Sequence, residues 1–303
     1  MSPARVETRV GDHTVTLSNL DKVMYPAAGF TKGDVIDYYA RVSEWLLPHV
    51  RLRPLTLRRF PDGVNGRSRF EKCCPERRPD WFPVAPVYVR TRGTDKPFCM
   101  IDGLPSLIWL ANQANLELHP MLCRAEDLDR PTAVAFDLDP GPETTLIDCA
   151  DVALVLRGTL ERIGLRSWVK SSGGKGLHVM VPLNTPVTFA QTRAFARTVA
   201  ELMAARMPEL VTSAISRAER GGRVLIDWGQ NAQHKSIVSV YSLRAQTLPT
   251  VSMPVTWEKL IEVAGKRRAD GVAPDPAYAI ERLERDGDLF EPLLSREQEL
   301  PRL

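Results

Sequence analysis

The stretch Ala133-Val-Ala-Phe-Asp137-Leu-Asp139-Pro-Gly141 is an apolar run ending in two aspartates one residue apart, followed by a Pro-Gly turn. In a strand, alternate side chains leave the same face about 6.5 to 7 Å apart, so Asp137 and Asp139 line one rim at the strand's end. Asp before Pro-Gly is also common turn chemistry. Two further stretches weigh against a mere cap. Val224-Leu-Ile-Asp227-Trp228 is a second apolar strand ending in a carboxylate, and Lys170-Ser-Ser172-Gly-Gly-Lys175-Gly-Leu-His178-Val-Met-Val-Pro182 is a glycine turn feeding an apolar run. Hard cations such as Mg²⁺ and Mn²⁺ take carboxylate oxygens together with substrate phosphates, and two of them about 3.5–4 Å apart can activate an attacking oxygen and stabilise a leaving one. The set predicts metal-dependent phosphoryl or nucleotidyl transfer.

Around this set lie candidate phosphate contacts. The glycine turn lacks the full Gly-x4-Gly-Lys-Ser/Thr pattern and no helix follows it, yet its amides, the Ser172 hydroxyl and the Lys175 ammonium suit a triphosphate. His178 sits in an apolar strand, where a single histidine is more often core. Its place three residues from Lys175 favours substrate contact. Gln230, Lys235 and Arg244 follow the third aspartate and bring polar groups that suit phosphates or a sugar, and His119 follows Glu117 on an alternating strand.

Working outward, residues 13–17 read as a strand. Thr31 reads as the N-cap of a helix that Pro48 ends, and residues 55–57, 87–89 and 116–120 as short strands around a helix at 104–114. From residue 132 the order is the Asp137 strand, a helix at 146–163, strands at 166–169 and 177–181, a helix at 189–207, the Asp227 strand and a run at 236–241. Strands interleaved with two amphipathic helices predict one sheet with helices on one side. After Pro249 the chain reads as a Pro-rich docking tail with two helices. The fold class expected is α+β.

The 303-residue chain carries a net charge of +3, too small by itself to indicate nucleic acid. Its distribution says more. From Arg51 to Arg92, eleven basic residues, including Arg58, Arg59, Arg90 and Arg92, face four acidic ones and are interleaved with Phe60, Phe70, Trp81, Phe82 and Tyr88. Arginines with stackable rings suit phosphate and base contacts. No apolar stretch approaches the ~20 residues of a membrane span and the N-terminus lacks a signal-peptide core, so a cytoplasmic protein without membrane contact is expected. Five cysteines without a Cys-x-x-Cys pair suit reduced thiols. A zinc site from Cys73, Cys74, His119 and Cys123 has the right ligand types but no known spacing.

The strings Asn19-Leu-Asp-Lys22-Val-Met-Tyr-Pro26, Thr31-Lys32-Gly-Asp34, Phe70-Glu-Lys72, Pro79-Asp-Trp81, Leu116-Glu-Leu-His119-Pro120, Phe136-Asp-Leu-Asp-Pro140, Ser172 to His178, Asp227-Trp-Gly-Gln-Asn231 and Tyr241-Ser-Leu-Arg-Ala245 occur in that order. Together they resemble the polymerase domain of bacterial LigD-type end-joining proteins, in the archaeo-eukaryotic primase superfamily. The resemblance implies a primase-like, RRM-like catalytic sheet with helices packed on it at about 131–290. It implies an N-terminal mixed α/β DNA-binding subdomain at about 1–130, the whole chain being one primase-polymerase domain.

It further implies that Asp137, Asp139 and Asp227 bind two divalent ions, Mn²⁺ preferred and Mg²⁺ possible, with Asp227 helping to activate a primer 3′-hydroxyl. Ser172, Lys175, His178, Gln230, Lys235, Arg244, Arg58 and His119 would hold an NTP or dNTP. Lys22 and Lys32 would grip the 5′-phosphate of gapped or broken DNA, Arg59 would lie near the template, and Phe70 would stack on a base. Ku and a DNA ligase are the implied partners, in the nucleoid of a bacterium. Two positions depart from the family pattern: Arg69 stands where relatives often have a second aromatic, and Ser239-Val240 where Ala-Pro is common. Other readings are a free-standing gap-filling polymerase of excision repair, a non-catalytic DNA-end-binding module, or a haloacid-dehalogenase-type phosphatase, whose Asp pair opens an early strand.

Overall fold

In the computed structural model, residues 5–89 and 93–301 are described, so Arg90 and Arg92 of the basic segment lie outside the described residues. The chain forms two compact units. Met1–Glu126, Ser236–Val251 and Asp275–Gly287 make the first, and Asp127–Lys235, Ser252–Pro274 and Asp288–Leu303 the second. Among the described residues no helix is long and apolar enough to cross a membrane.

The second unit is built on a six-stranded sheet whose strands run, in spatial order, Val211–Thr212, Val224–Asp227, Ala133–Asp139, Leu177–Pro182, Trp168–Ser171 and Pro254–Val255. Alternation sorts its two faces. Val134, Phe136 and Leu138 join Leu177, Val179 and Val181 in the core, packed against apolar residues of helices Leu146–Arg162, Phe189–Arg206 and Trp257–Lys266. All three helices thus cover the same face, which leaves the other to Asp137, Asp139 and His178. Thr145 with Asp148, and Thr188 with Gln191, form capping boxes that start the two longer helices.

The first unit holds a five-stranded sheet in which Leu55–Arg59 pairs with Arg69–Glu71, Thr94–Cys99 and Asn115–Pro120, and Val84–Val89 extends it at the edge. Thr31 caps helix Lys32–Arg41 as expected, its hydroxyl accepting from the Asp34 N–H.

Four expectations are corrected. Pro48 does not end a helix: the break falls at Val42, and Pro48 lies inside a second helix, Ser43–Val50. Its ring sits six residues into that helix, and the carbonyl it displaces, at Glu44, belongs to a helix start whose cap at Val42 is already irregular. Residues 236–241 carry an isolated bridge and a turn instead of a strand, with Tyr241 at φ +63°. The segment after Pro249 is not a tail, because Pro249–Val251 pairs with Leu243–Ala245 and Pro254–Val255 extends the six-stranded sheet. Finally, Cys74 and Cys99 are joined in a disulfide, leaving Cys73, Cys123 and Cys149 as thiols. The Cys74 N–H donates to the Pro97 carbonyl and brings the loop against that strand. With Cys74 consumed, the zinc set loses a ligand.

Candidate active site

Strand register assembles the centre of the second unit. Asp137 is directly opposite Asp227 on one side and His178 on the other, and His178 is opposite Lys170. Four neighbouring strands thereby present Asp227, Asp137, His178 and Lys170 in one row across the sheet. The His178 Nε2 lies 3.1 Å from Asp137 Oδ1, and Lys170 Nζ lies 2.8 Å from His178 Nδ1. Asp227 accepts from the Gly229 N–H at 2.9 Å and from Gln230 Nε2 at 3.0 Å. Burial, then the facing charge of Asp137, raises the Asp227 carboxyl above its ordinary value, against the pull of Gly229, Gln230 and Lys235.

The chain after Asp227 is tied down from two sides. Asn231 is fully buried, accepting from the Ala135 N–H at 2.8 Å and donating to the Ala135 carbonyl at 2.7 Å, so an amide side chain completes the Asp137 strand as another strand would. Trp228 donates to the Ser213 carbonyl under the guanidinium groups of Arg193 and Arg197.

The glycine turn closes on itself. Ser172 Oγ accepts from the amides of Gly174 and Gly176, and Ser171 Oγ from that of Gly173, which sits at φ +71°. Gly176 passes so close to the Asp137 strand that a Cβ there would lie 2.3 Å from the Leu138 carbonyl oxygen. The turn therefore packs against the strand bearing both aspartates, with Lys175 exposed at its tip.

In the first unit, Phe70 and Glu117 are the register partners of Arg58 on either side. Glu117 is fully buried and gathers three basic side chains: Arg58 at 3.1 Å, His119 at 2.9 Å and Arg244 at 3.4 Å, with the Ala245 N–H donating to it at 3.0 Å. Burial alone would raise its carboxyl, but the His119 hydrogen bond, the charges of Arg244 and His119 and the Ala245 amide overturn that and hold it at about 2. Phe70 is 62% exposed, with its ring edge-on to His119 and under the Arg58 guanidinium. An exposed ring beside cations suits base stacking. Arg59 turns aside to the Gln113 carbonyl and Glu71.

Lys22 and Lys32 approach one another through a backbone hydrogen bond, Lys32 N–H to Lys22 carbonyl. Lys32 is buried, donating to the Asn112 carbonyl and the Ser18 hydroxyl. Burial, then the Lys22 charge, lowers its ammonium to about 8. Lys22 contacts Asp62 and lines a surface cleft of ≈ 570 Å³ with Val6, Asn19, Leu20 and Asp21.

The donor set Asp137, Asp139 and Asp227 fits a hard divalent cation: all are oxygen donors at strand ends, and Asp137 and Asp227 face each other, the Asp227 carboxyl being raised by burial and then by Asp137's charge. Among the described residues no three acidic, histidine or cysteine side chains are gathered around one point, since Asp227 turns to Gly229 and Gln230 and Asp137 to His178. Two residues escaped the sequence reading. Glu117 shares a strand face with His119, and that two-residue spacing was its only signal. Lys170 opens the glycine motif but is assigned a place only by strand pairing.

A family model for the LigD primase-polymerase domain matches residues 31–290. The chain is 40% identical over 291 residues to the multifunctional non-homologous end joining protein LigD of Mycobacterium bovis, an alignment covering 93% of this chain and 37% of that protein. It is 31% identical over 244 residues to the bifunctional LigD of Bacillus subtilis, covering 80% of this chain and 39% of that one. It thus spans well under half the length of these relatives. Among solved structures it is similar to the polymerase domain of Mycobacterium tuberculosis ligase D in complex with DNA, with a TM-score of 0.85 and 38% identity over 92% of this chain and 98% of that one. By sequence and by its α+β fold, the chain belongs to the LigD primase-polymerase family and is a nucleotidyltransferase.

Proposed function

We propose that this chain extends a primer 3′-end on gapped or broken DNA during end joining. The primer oxygen attacks the α-phosphate of a nucleoside triphosphate, the bond to the β-phosphate breaks, and pyrophosphate leaves. The observation that carries this reading is the row Asp227, Asp137, His178 across adjacent strands, with the glycine turn seated on the Asp137 strand. Asp137, Asp139 and Asp227 would hold two divalent ions, Mn²⁺ or Mg²⁺, which when bound would stabilise charge on the phosphates and activate the primer oxygen.

The protein's own groups bind and orient. Lys175 and His178 would hold the triphosphate, with Lys235 nearby in charge range of Asp227. Ser172 acts by shaping the turn, because its oxygen accepts from Gly174 and Gly176. Gln230 acts through Asp227, to which it donates. In the first unit, Arg58, His119 and Arg244 would face nucleotide anions from their shared anchor on Glu117, and Phe70 would stack on a templating base. Lys22 and Lys32 would take a 5′-phosphate, and Arg59 the template backbone. The DNA-bound relative supports DNA as the partner, and a DNA ligase and Ku are proposed as further partners on the family resemblance alone.

The test is extension of a gapped, 5′-phosphorylated duplex with Mn²⁺ or Mg²⁺ and each nucleotide type. Template-directed extension is expected, and DNA binding with no extension under any of these conditions contradicts the reading.

A further inference from the structure

Lys170 is among the largest fully buried side chains of the molecule, at 2% exposure, and the nucleotide-transfer reading gives it no role. Its surroundings set the direction of a hydrogen-bond chain. The Ser252 hydroxyl donates its proton to the Ser171 carbonyl at 2.8 Å, so towards Lys170 Nζ, 2.6 Å away, its oxygen accepts. With Lys170 protonated, its ammonium has no lone pair and donates to every partner. His178 Nδ1, 2.8 Å from the same nitrogen, must then be the acceptor, which leaves the ring proton on Nε2, facing Asp137 Oδ1 at 3.1 Å. The backbone braces the arrangement, because Lys170 is paired with His178 on one side and Pro254 on the other, and the Ser171 amide bonds to the Met253 carbonyl.

We infer that Lys170 is a positioning residue that fixes His178 in the Nε2–H tautomer and makes it a one-way donor to anions at the rim of the site. In this structure the anion is the Asp137 carboxylate, and a triphosphate oxygen is the other acceptor of the same kind. A histidine so held neither ligates a metal through Nε2 nor takes a proton there. The effect on nucleotide transfer rests on the proposed function, whereas the tautomer does not.

The test is long-range ¹H–¹⁵N NMR of protein labelled at histidine, at pH 7.5, with the His178 signals identified by their loss in H178Q. Wild type is expected to show a bare Nδ1 and a protonated Nε2, K170M a mixture of tautomers, and K170R the wild-type pattern. Kinetics run alongside: K170M is expected to lose about 10- to 100-fold in kcat/KM, mostly as a higher nucleotide KM, with K170R recovering part of it. If K170M does not fold, S252A, which withdraws the acceptor holding the ammonium, is expected to shift the tautomer ratio in the same direction. A wild-type Nδ1–H signal overturns the inference, as does a folded K170M with unchanged His178 signals and unchanged KM. The NMR result decides the tautomer whether or not the wild type extends primers. Failure of extension would refute the proposed function instead.

Discussion

Replacing Glu117 is expected to cost stability and activity together, by an amount the structure sets. Its carboxylate has no exposed surface and anchors Arg58, His119 and Arg244. Moving a carboxyl from 4.5 to about 2 corresponds to roughly 3 kcal/mol of preference for the charged form. Independently, removing one partner from a buried charge cluster costs about 3–5 kcal/mol, because the remaining charges are left uncompensated. The two routes agree on about 3 kcal/mol for Glu117→Gln at pH 7. The sign follows from linkage: a depressed carboxyl contributes fully above its unfolded value, and the contribution fades as pH falls from about 4.5 towards 2. Urea unfolding of wild type and variant at pH 7 and at decreasing pH is the assay. The gap should close in acid. A gap below about 1 kcal/mol at pH 7, or one that does not change with pH, would refute the assignment of Glu117 as the anchor. Extension activity should fall as well, because three proposed nucleotide contacts lose their common support.

Other perturbations reach different parts of the molecule. Burial and then the Lys22 charge lower the Lys32 ammonium to about 8, so if it holds the 5′-phosphate the preference for 5′-phosphorylated over 5′-hydroxyl DNA should decline as pH rises through that value, and fluorescence anisotropy with Lys32→Ala should show no such decline. Its lowered value also means that the folded protein binds fewer protons than the unfolded chain between about 8 and 10.5, so this group alone makes stability rise with pH there. Asn231→Ala strips the Ala135 amide and carbonyl of their partners and should cost about 2–3 kcal/mol by thermal or urea melting; a cost under 0.5 kcal/mol would show that the side chain does not complete the strand. Gly176→Ala forces a methyl against the Leu138 carbonyl and should destabilise by about 1–3 kcal/mol while raising nucleotide KM.

Much of the site was legible because the decisive signals are local. An apolar run ending in a carboxylate marks a strand end, and two aspartates one residue apart must share a face. The helix start at Thr31 was legible for the same reason, since its capping chemistry lies within four residues. What was hidden depends on pairing between distant segments. Nothing near Lys170 announces that His178, and beyond it Asp137, will stand opposite it across the sheet. Glu117 looks like any alternating strand residue until Arg58 and Arg244 converge on it from 59 and 127 positions away in sequence. The Cys74–Cys99 bond was missed because an odd cysteine count says nothing about which two strands bring thiols together. Ser172 and Gln230 were read as substrate contacts from their chemistry and from the resemblance, and their hydrogen bonds to the glycine turn and to Asp227 depend on a local geometry that residue type does not reveal.

The central claim is that carboxylates at the ends of two paired strands carry nucleotide transfer. Its most direct test is primer extension on a gapped, 5′-phosphorylated duplex by Asp137→Ala and Asp227→Ala, with DNA binding and unfolding measured on the same preparations. The account predicts that both variants fold and bind DNA while extension is abolished. Extension near the wild-type rate by either variant would contradict it.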